Sequence, residues 1–174
     1  WWVSWLAAAW WRSPAVGSPG ALAQLPYRVL TVAGFVLLLG GPPADRWVTP
    51  RVWHLTPWPA WITCGLGIAG LVFTWWARVH LGRLWSGVVT RKADHHIIDS
   101  GPYGLVRHPI YTGLTLTTLG IALLRGTWLA VGGLAIATLG WYVKARLEER
   151  FLRAQLGASD YDAYARRVPM LVPF

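Results

Sequence analysis

Charge is scarce in this sequence. Its 174 residues include 16 Lys and Arg and 7 Asp and Glu, 13% of the chain, against roughly 25% in an ordinary soluble domain. Cysteine occurs once, as Cys64 inside an apolar run, so neither a disulfide within the chain nor a cysteine-based metal site can form. No glycine-rich strand-to-helix fingerprint for a nucleotide is present. The five histidines offer no H-x-x-x-H or H-x-x-E-H pair, and adjacent His95 and His96 send their rings in different directions, so no metal is expected. Internal repeats and low-complexity tracts are lacking as well. What is abundant is apolar surface: 55% of the residues are hydrophobic and 14 are tryptophan, the composition of a membrane protein. The net charge of +9 would suit nucleic acid, but the basic residues are scattered between long apolar segments, which suits anionic lipid headgroups and topology instead. Membrane lipids are therefore the expected partners and nucleic acid is not. The length fits one membrane domain, 1–174.

Apolar segments run roughly over Trp1 to Trp11, Tyr27 to Gly41, Trp58 to Val79, Ile110 to Leu124 and Trp128 to Val143. They are read as about five transmembrane helices in an all-α, multi-pass integral membrane protein, although only the third approaches the ~20 residues needed to span the hydrocarbon. The opening on Trp1 without a methionine suggests a trimmed sequence, and no cleavable signal peptide is expected in it. The last two segments are separated by Arg125 to Thr127 alone, which predicts a C-terminal helical hairpin. Glycines at 113, 120, 132, 133 and 140 would let helices approach closely. With five crossings, every Lys and Arg except Arg46, Arg51 and Arg125 falls on one side. The positive-inside rule makes that side cytoplasmic, so 1–79 is read as hydrophobic helices and 80–174 as the catalytic, cofactor-binding region, its pocket facing the cytoplasm. The absence of an organelle signal and the short helices are compatible with a prokaryotic plasma membrane.

Two polar stretches share that side. In "GPYGLVRHPIYTG", residues 101–113, Gly101 and Gly104 supply turn chemistry, and Pro109 suits the first turn of the next helix and leaves His108 at its cap. The N–H groups of that helix end would then favour an anion beside Arg107 and His108, while Tyr103 and Tyr111 offer aromatic faces to a cation. In "WYVKARLEERFL", residues 141–152, Lys144 and Glu148 share one helical face and Glu149 follows. A three-residue turn makes the two helices neighbours, so a composite pocket is expected. His54, His80 and the tryptophans are read as interfacial residues.

The stretch "HHIIDSGPYGLVRHPIYTG" (95–113), the acidic pair Glu148 and Glu149, and the ending "YDAYARRVPMLVPF" (161–174) together resemble the isoprenylcysteine carboxyl methyltransferase family, within the wider phospholipid methyltransferase group. The resemblance covers the C-terminal half; the first 75 residues match only as hydrophobic helices. It implies a membrane-embedded methyltransferase that uses S-adenosylmethionine and a lipophilic acceptor, prenylated or lipid, that enters from the bilayer. Carried over by position, the cofactor contacts would be His95, His96, Ile97, Ile98, Tyr103, His108, Pro109, Ile110, Tyr111 and Glu148, with Arg107 beside them. Lys144 falls where the family's substrate-side arginine is expected. That is a departure, because lysine offers a point charge rather than a bidentate fork; Arg146 is the alternative source of a fork. The implied reaction is O-methylation of the carboxylate of an S-isoprenylated cysteine. For a phospholipid amine a proton must leave, and Glu149 or His108 becomes the candidate base. A sterol-reductase-type enzyme using NADPH and a non-catalytic relative retaining the fold are the remaining alternatives.

Overall fold

The computed structural model describes residues 15–18, 20–40, 50–82, 85, 91–92 and 97–173. The first apolar segment, Trp1 to Trp11, lies outside them. Six helices are present among the described residues: α1 (Ala21–Leu39), α2 (Pro57–Leu81), α3 (Pro102–Leu105), α4 (Pro109–Arg125), α5 (Trp128–Leu156) and α6 (Ala158–Arg167). The expectation of an all-α chain needs one addition. A short antiparallel ladder joins β1 (Ala15–Gly17) to β2 (Arg91–Lys92), tying the segment before α1 to the loop between α2 and α3.

Three helices are long and apolar enough to cross a membrane, over Ala21–Leu39, Pro57–Leu81 and Trp128–Ala154. The 17 residues of α4 rise about 25 Å, and α4 lies between two of the three. Local chemistry sets the ends. Pro57 opens α2 and Pro109 opens α4, where a missing N–H leaves nothing unpaired. Gly126 closes α4 in the left-handed conformation, φ 64°, and Thr127 caps α5 by accepting from the Ala130 N–H at 3.2 Å. The hairpin turn is thus Gly126 and Thr127, as the spacing of the last two apolar segments requires.

The helices pack in the order α1, α5, α4, α2, so the outer two flank the hairpin. The glycines serve those outer contacts rather than the hairpin itself. Gly133 and Gly140 on α5 meet Leu38 and Thr31 of α1, while Gly113 and Gly120 on α4 meet Thr74 and Gly67 of α2; Gly132 faces open space. Each outer helix runs antiparallel to its partner. One end of the bundle therefore gathers the start of α1, the end of α2, the start of α4 and the middle of α5. At the other end Arg125 donates to the Leu39 carbonyl at 3.1 Å, neutralising the end of α1. Apolar side chains that remain exposed, such as Leu22, Val29, Val36, Trp61, Ile62 and Val72, cover the outer faces as a lipid-facing surface would.

α5 runs 13 residues past the apolar segment, which ended at Val143, and carries Lys144 to Arg153 on the same rod. α6 and the tail then fold back over the start of α4. The Pro169 and Met170 carbonyls accept from the backbone N–H groups of Arg107 and His108 at 2.8 and 3.1 Å, and the Leu171 carbonyl accepts from the Thr112 hydroxyl at 2.6 Å.

Candidate active site

The site is built where α4 begins. His108 caps the helix, and its ring stacks on Tyr111 at 5.6 Å with 15° between the planes. The Tyr111 hydroxyl donates to Glu148 Oε1 at 2.8 Å. One turn earlier on α5, Lys144 Nζ stands 3.9 Å from the same carboxylate oxygen and 5.4 Å from the Tyr111 ring centre. His108 Nδ1 lies 3.6 Å from Glu148 Oε2. Thus His108, Tyr111, Lys144 and Glu148, all expected at the site, meet in one place.

Glu149 belongs to a different cluster. Its Oε1 accepts from Arg107 Nε at 2.8 Å and lies 3.3 Å from His108 Nε2. Arg107 also donates through Nη1 to the carbonyls of Ala165 and Val168, at 2.9 and 2.5 Å. The anion expected beside Arg107 and His108 is therefore supplied by the chain itself. The start of α4 is likewise less open than the sequence suggested, since Tyr111 and Thr112 N–H both bond the His108 carbonyl. Arg146 stands half exposed, 3.8 Å from Glu149 Oε2. Lys144 rather than Arg146 faces the aromatic pocket.

Tyr103 is buried against the same region. Its carbonyl accepts from the Tyr164 hydroxyl at 2.8 Å, and its ring lies 6.4 Å from that of His80, nearly parallel. Burial, and then the negative charge of Glu148, push the Tyr103 hydroxyl up, so it stays protonated. Burial pushes Tyr164 up to about 12, so it remains the donor in its bond to α3. Pro109 is fully buried and Ile110 packs on the core of Tyr111, Ala137, Trp141 and Ala145. Ile97 packs beneath α6 on Tyr161, Tyr164 and Val168, and Ile98 is partly buried. His95 and His96 lie outside the described residues. Among the described residues no group of three His, Cys, Asp or Glu is placed to hold a metal.

Two features were missed by the sequence reading. His80, taken as interfacial, lies 3.0 Å from the Ser100 hydroxyl and its ring fills the space over Gly101, whose φ of 57° favours glycine. On α1, Gln24 and Tyr27 are buried, and the Tyr27 ring stands beside Lys144. A glutamine, a tyrosine and Arg28 within five residues of an apolar run were the available signal.

Fold and site together define an all-helical membrane protein, but for one short ladder, with an ionisable cluster at one end of its bundle. The isoprenylcysteine carboxyl methyltransferase (ICMT) family matches residues 62–154, just over half of the chain, and the chain belongs to that family. Among its relatives, the cobalt-zinc-cadmium resistance protein CzcN of Cupriavidus metallidurans is 30% identical over 118 residues, 67% of this chain and 51% of that protein. The protein-S-isoprenylcysteine O-methyltransferase of Schizosaccharomyces pombe is 33% identical over 102 residues, 56% of this chain and 42% of that protein. Methanethiol S-methyltransferase 2 of Bradyrhizobium diazoefficiens is 31% identical over 148 residues, 70% of this chain and 52% of that protein. The chain thus spans about half the length of the curated relatives it matches.

Proposed function

We propose that the chain is a membrane methyltransferase that takes its methyl group from S-adenosylmethionine and passes it to the carboxylate of a lipophilic acceptor, an S-isoprenylated cysteine in the first instance. The observation that carries the reading is the convergence of Lys144 and Tyr111 on one carboxylate oxygen of Glu148, with His108 beside its other oxygen. The residues fit the donor chemically: aromatic faces attract a sulfonium, and a carboxylate suits ammonium and hydroxyl groups. Tyr103, His108, Tyr111 and Glu148 would hold it, with Ile97, Ile98, the buried Pro109 and the partly buried Ile110 shaping the wall. S-adenosylmethionine, when bound, supplies a methyl group made electrophilic by its sulfonium.

An acceptor carboxylate is ionised at neutral pH. An ionised oxygen has no proton to lose, so accepting the donor's methyl group would require no base from the chain. Lys144 holds the acceptor carboxylate by charge and hydrogen bond, and the pocket aligns it while excluding water, which proximity makes worth several kcal/mol. Arg107 and Glu149 act as positioning residues: together they fix the His108 ring that stacks on Tyr111. Glu149, already paired with Arg107, is poorly placed to serve as the base that an amine acceptor would need. Arg146 stands at the rim.

Methylation of a small thiol is the second reading, favoured by the likeness to the methanethiol enzyme over 70% of this chain. Purified protein offered N-acetyl-S-farnesylcysteine, methanethiol and phosphatidylethanolamine with labelled S-adenosylmethionine is expected to label the farnesylcysteine fastest. Faster labelling of methanethiol transfers the assignment to the second reading, and no labelling with any of the three defeats both.

A further inference from the structure

Polar side chains inside an apolar helix are costly and are retained for a purpose, and α1 carries two at its buried face. Gln24 is 4% exposed and Tyr27 5%. The Tyr27 hydroxyl donates to Gln24 Oε1 at 2.7 Å, and Arg28 Nη2 donates to the same oxygen at 3.1 Å. Two cations stand near the Tyr27 ring, Lys144 Nζ at 5.5 Å and Arg28 Cζ at 6.0 Å from its centre. Arg28 is exposed, whereas the Lys144 side chain is 12% exposed. One cation thus stands at the bundle surface and the other is largely buried, 3.9 Å from Glu148.

α1 also lies outside residues 62–154, the part that the family shares, whereas Tyr103, His108, Tyr111 and Glu148 lie inside it. Lys144 lies inside it as well, so α1 is the part of the cluster that the family match does not cover.

We infer that Gln24, Tyr27 and Arg28 of α1 form, with Lys144, the subsite for the acceptor's polar head, and that this subsite selects an anionic head over a neutral one. The inference deepens the carboxyl-methylation reading and rests on it for the identity of the acceptor. Arg28 meets the carboxylate at the mouth and Lys144 receives it inside. Gln24 fixes both Tyr27 and Arg28, and Tyr27 keeps the Lys144 ammonium turned towards the pocket.

The test measures binding rather than turnover. Full-length protein in phospholipid-free detergent, saturated with S-adenosylhomocysteine, is titrated with N-acetyl-S-farnesylcysteine and with its neutral carboxamide. The carboxylate is expected to bind about tenfold more tightly, the effect of one charge-assisted contact. Arg28→Glu and Gln24→Leu should each bring that ratio below about threefold and Arg28→Lys should keep it, with S-adenosylhomocysteine affinity within about twofold of wild type throughout. A ratio near one in the wild type, or a ratio that survives both Arg28→Glu and Gln24→Leu, overturns the subsite. Loss of S-adenosylhomocysteine affinity in step with the acceptor also overturns it, since the cluster would then support the scaffold. Without phospholipid, a role for Arg28 in lipid anchoring alone leaves the ratio unchanged on substitution. If selectivity is present and lost as expected while no methyl group reaches the farnesylcysteine, the subsite stands and the carboxyl-methylation reading falls; methyl transfer without selectivity gives the converse.

Discussion

A rotation of about 100° per residue sends two neighbouring carboxylates of α5 to different tasks: Glu148 to Tyr111 and Lys144, and Glu149 to Arg107 and His108. His108 touches both acids. The two glutamates should therefore fail differently when neutralised. Glu149→Gln leaves the partly buried Arg107 without its counter-charge, which costs about 2 kcal/mol and lowers Tm by roughly 5 °C in a chain of this size. Glu148→Gln keeps an acceptor for the Tyr111 hydroxyl and should leave Tm within about 2 °C of wild type. Its expected loss is affinity for S-adenosylhomocysteine, by at least about tenfold. Thermal unfolding and calorimetry on the two variants check this, and interchanged outcomes would reverse the assignment of the two acids. The sequence made both glutamates candidates, but it could not divide them. That division depends on α6 and the tail, whose Ala165 and Val168 carbonyls hold Arg107 in place from about 60 residues away.

At the scale of elements, adjacent glycines on α5 face different surroundings. A Cβ on Gly132 meets nothing within 4 Å, whereas one on Gly133 runs into the backbone of Gly34 and Leu38. Gly132→Ala is therefore expected to be neutral or slightly stabilising, and Gly133→Ala to cost about 2 kcal/mol by forcing α1 away from α5. Unfolding in detergent distinguishes them; equal Tm values would mean that α1 is not packed closely on α5. The hairpin was legible because only three residues separate its apolar segments, and Gly126 and Thr127 are the turn and cap those residues allow. The partners of the glycines were not. Spacing shows that a helix offers a small-residue face, but which helix comes to it is a matter of long-range packing. Helix limits erred for a related reason. Hydropathy reports the stretch that suits lipid, so it ended α5 at Val143 and began α1 at Tyr27, whereas hydrogen bonding continues through Lys144 to Leu156 and begins at Ala21. The residues omitted at the start of α1 include Gln24, and the start of the polar cluster beside Lys144 was lost with them.

At the scale of the molecule, four antiparallel helices bring every ionisable group of the candidate site to one end of the bundle. α1 leaves that end beside Lys144, α2 returns to it with Thr74 at Ile110, α4 leaves it from His108, and α5 comes back with Glu148. The other end holds the Leu39 and Gly40 carbonyls, the 52–53 loop and the hairpin turn, joined by Arg125 and by the Val52 N–H bonded to the Gly126 carbonyl at 2.7 Å. The basic residues follow the same division. Arg28, Arg78, Arg107, Lys144 and Arg146 stand at the site end and Arg51 and Arg125 at the other, so the positive-inside rule predicts that the site faces the cytoplasm. Donor and acceptor would then meet at the face where S-adenosylmethionine is made. In a Cys64→Ala background, Ser159→Cys on the exposed start of α6 and Val52→Cys on the exposed loop report the two ends separately. An impermeant maleimide added to intact cells is expected to label position 52 and to reach position 159 only after the membrane is opened. Labelling of position 159 from outside would invert the molecule and leave a cytoplasmic donor without access to Glu148. Labelling of both from outside would mean that these helices do not carry the chain across the bilayer between them.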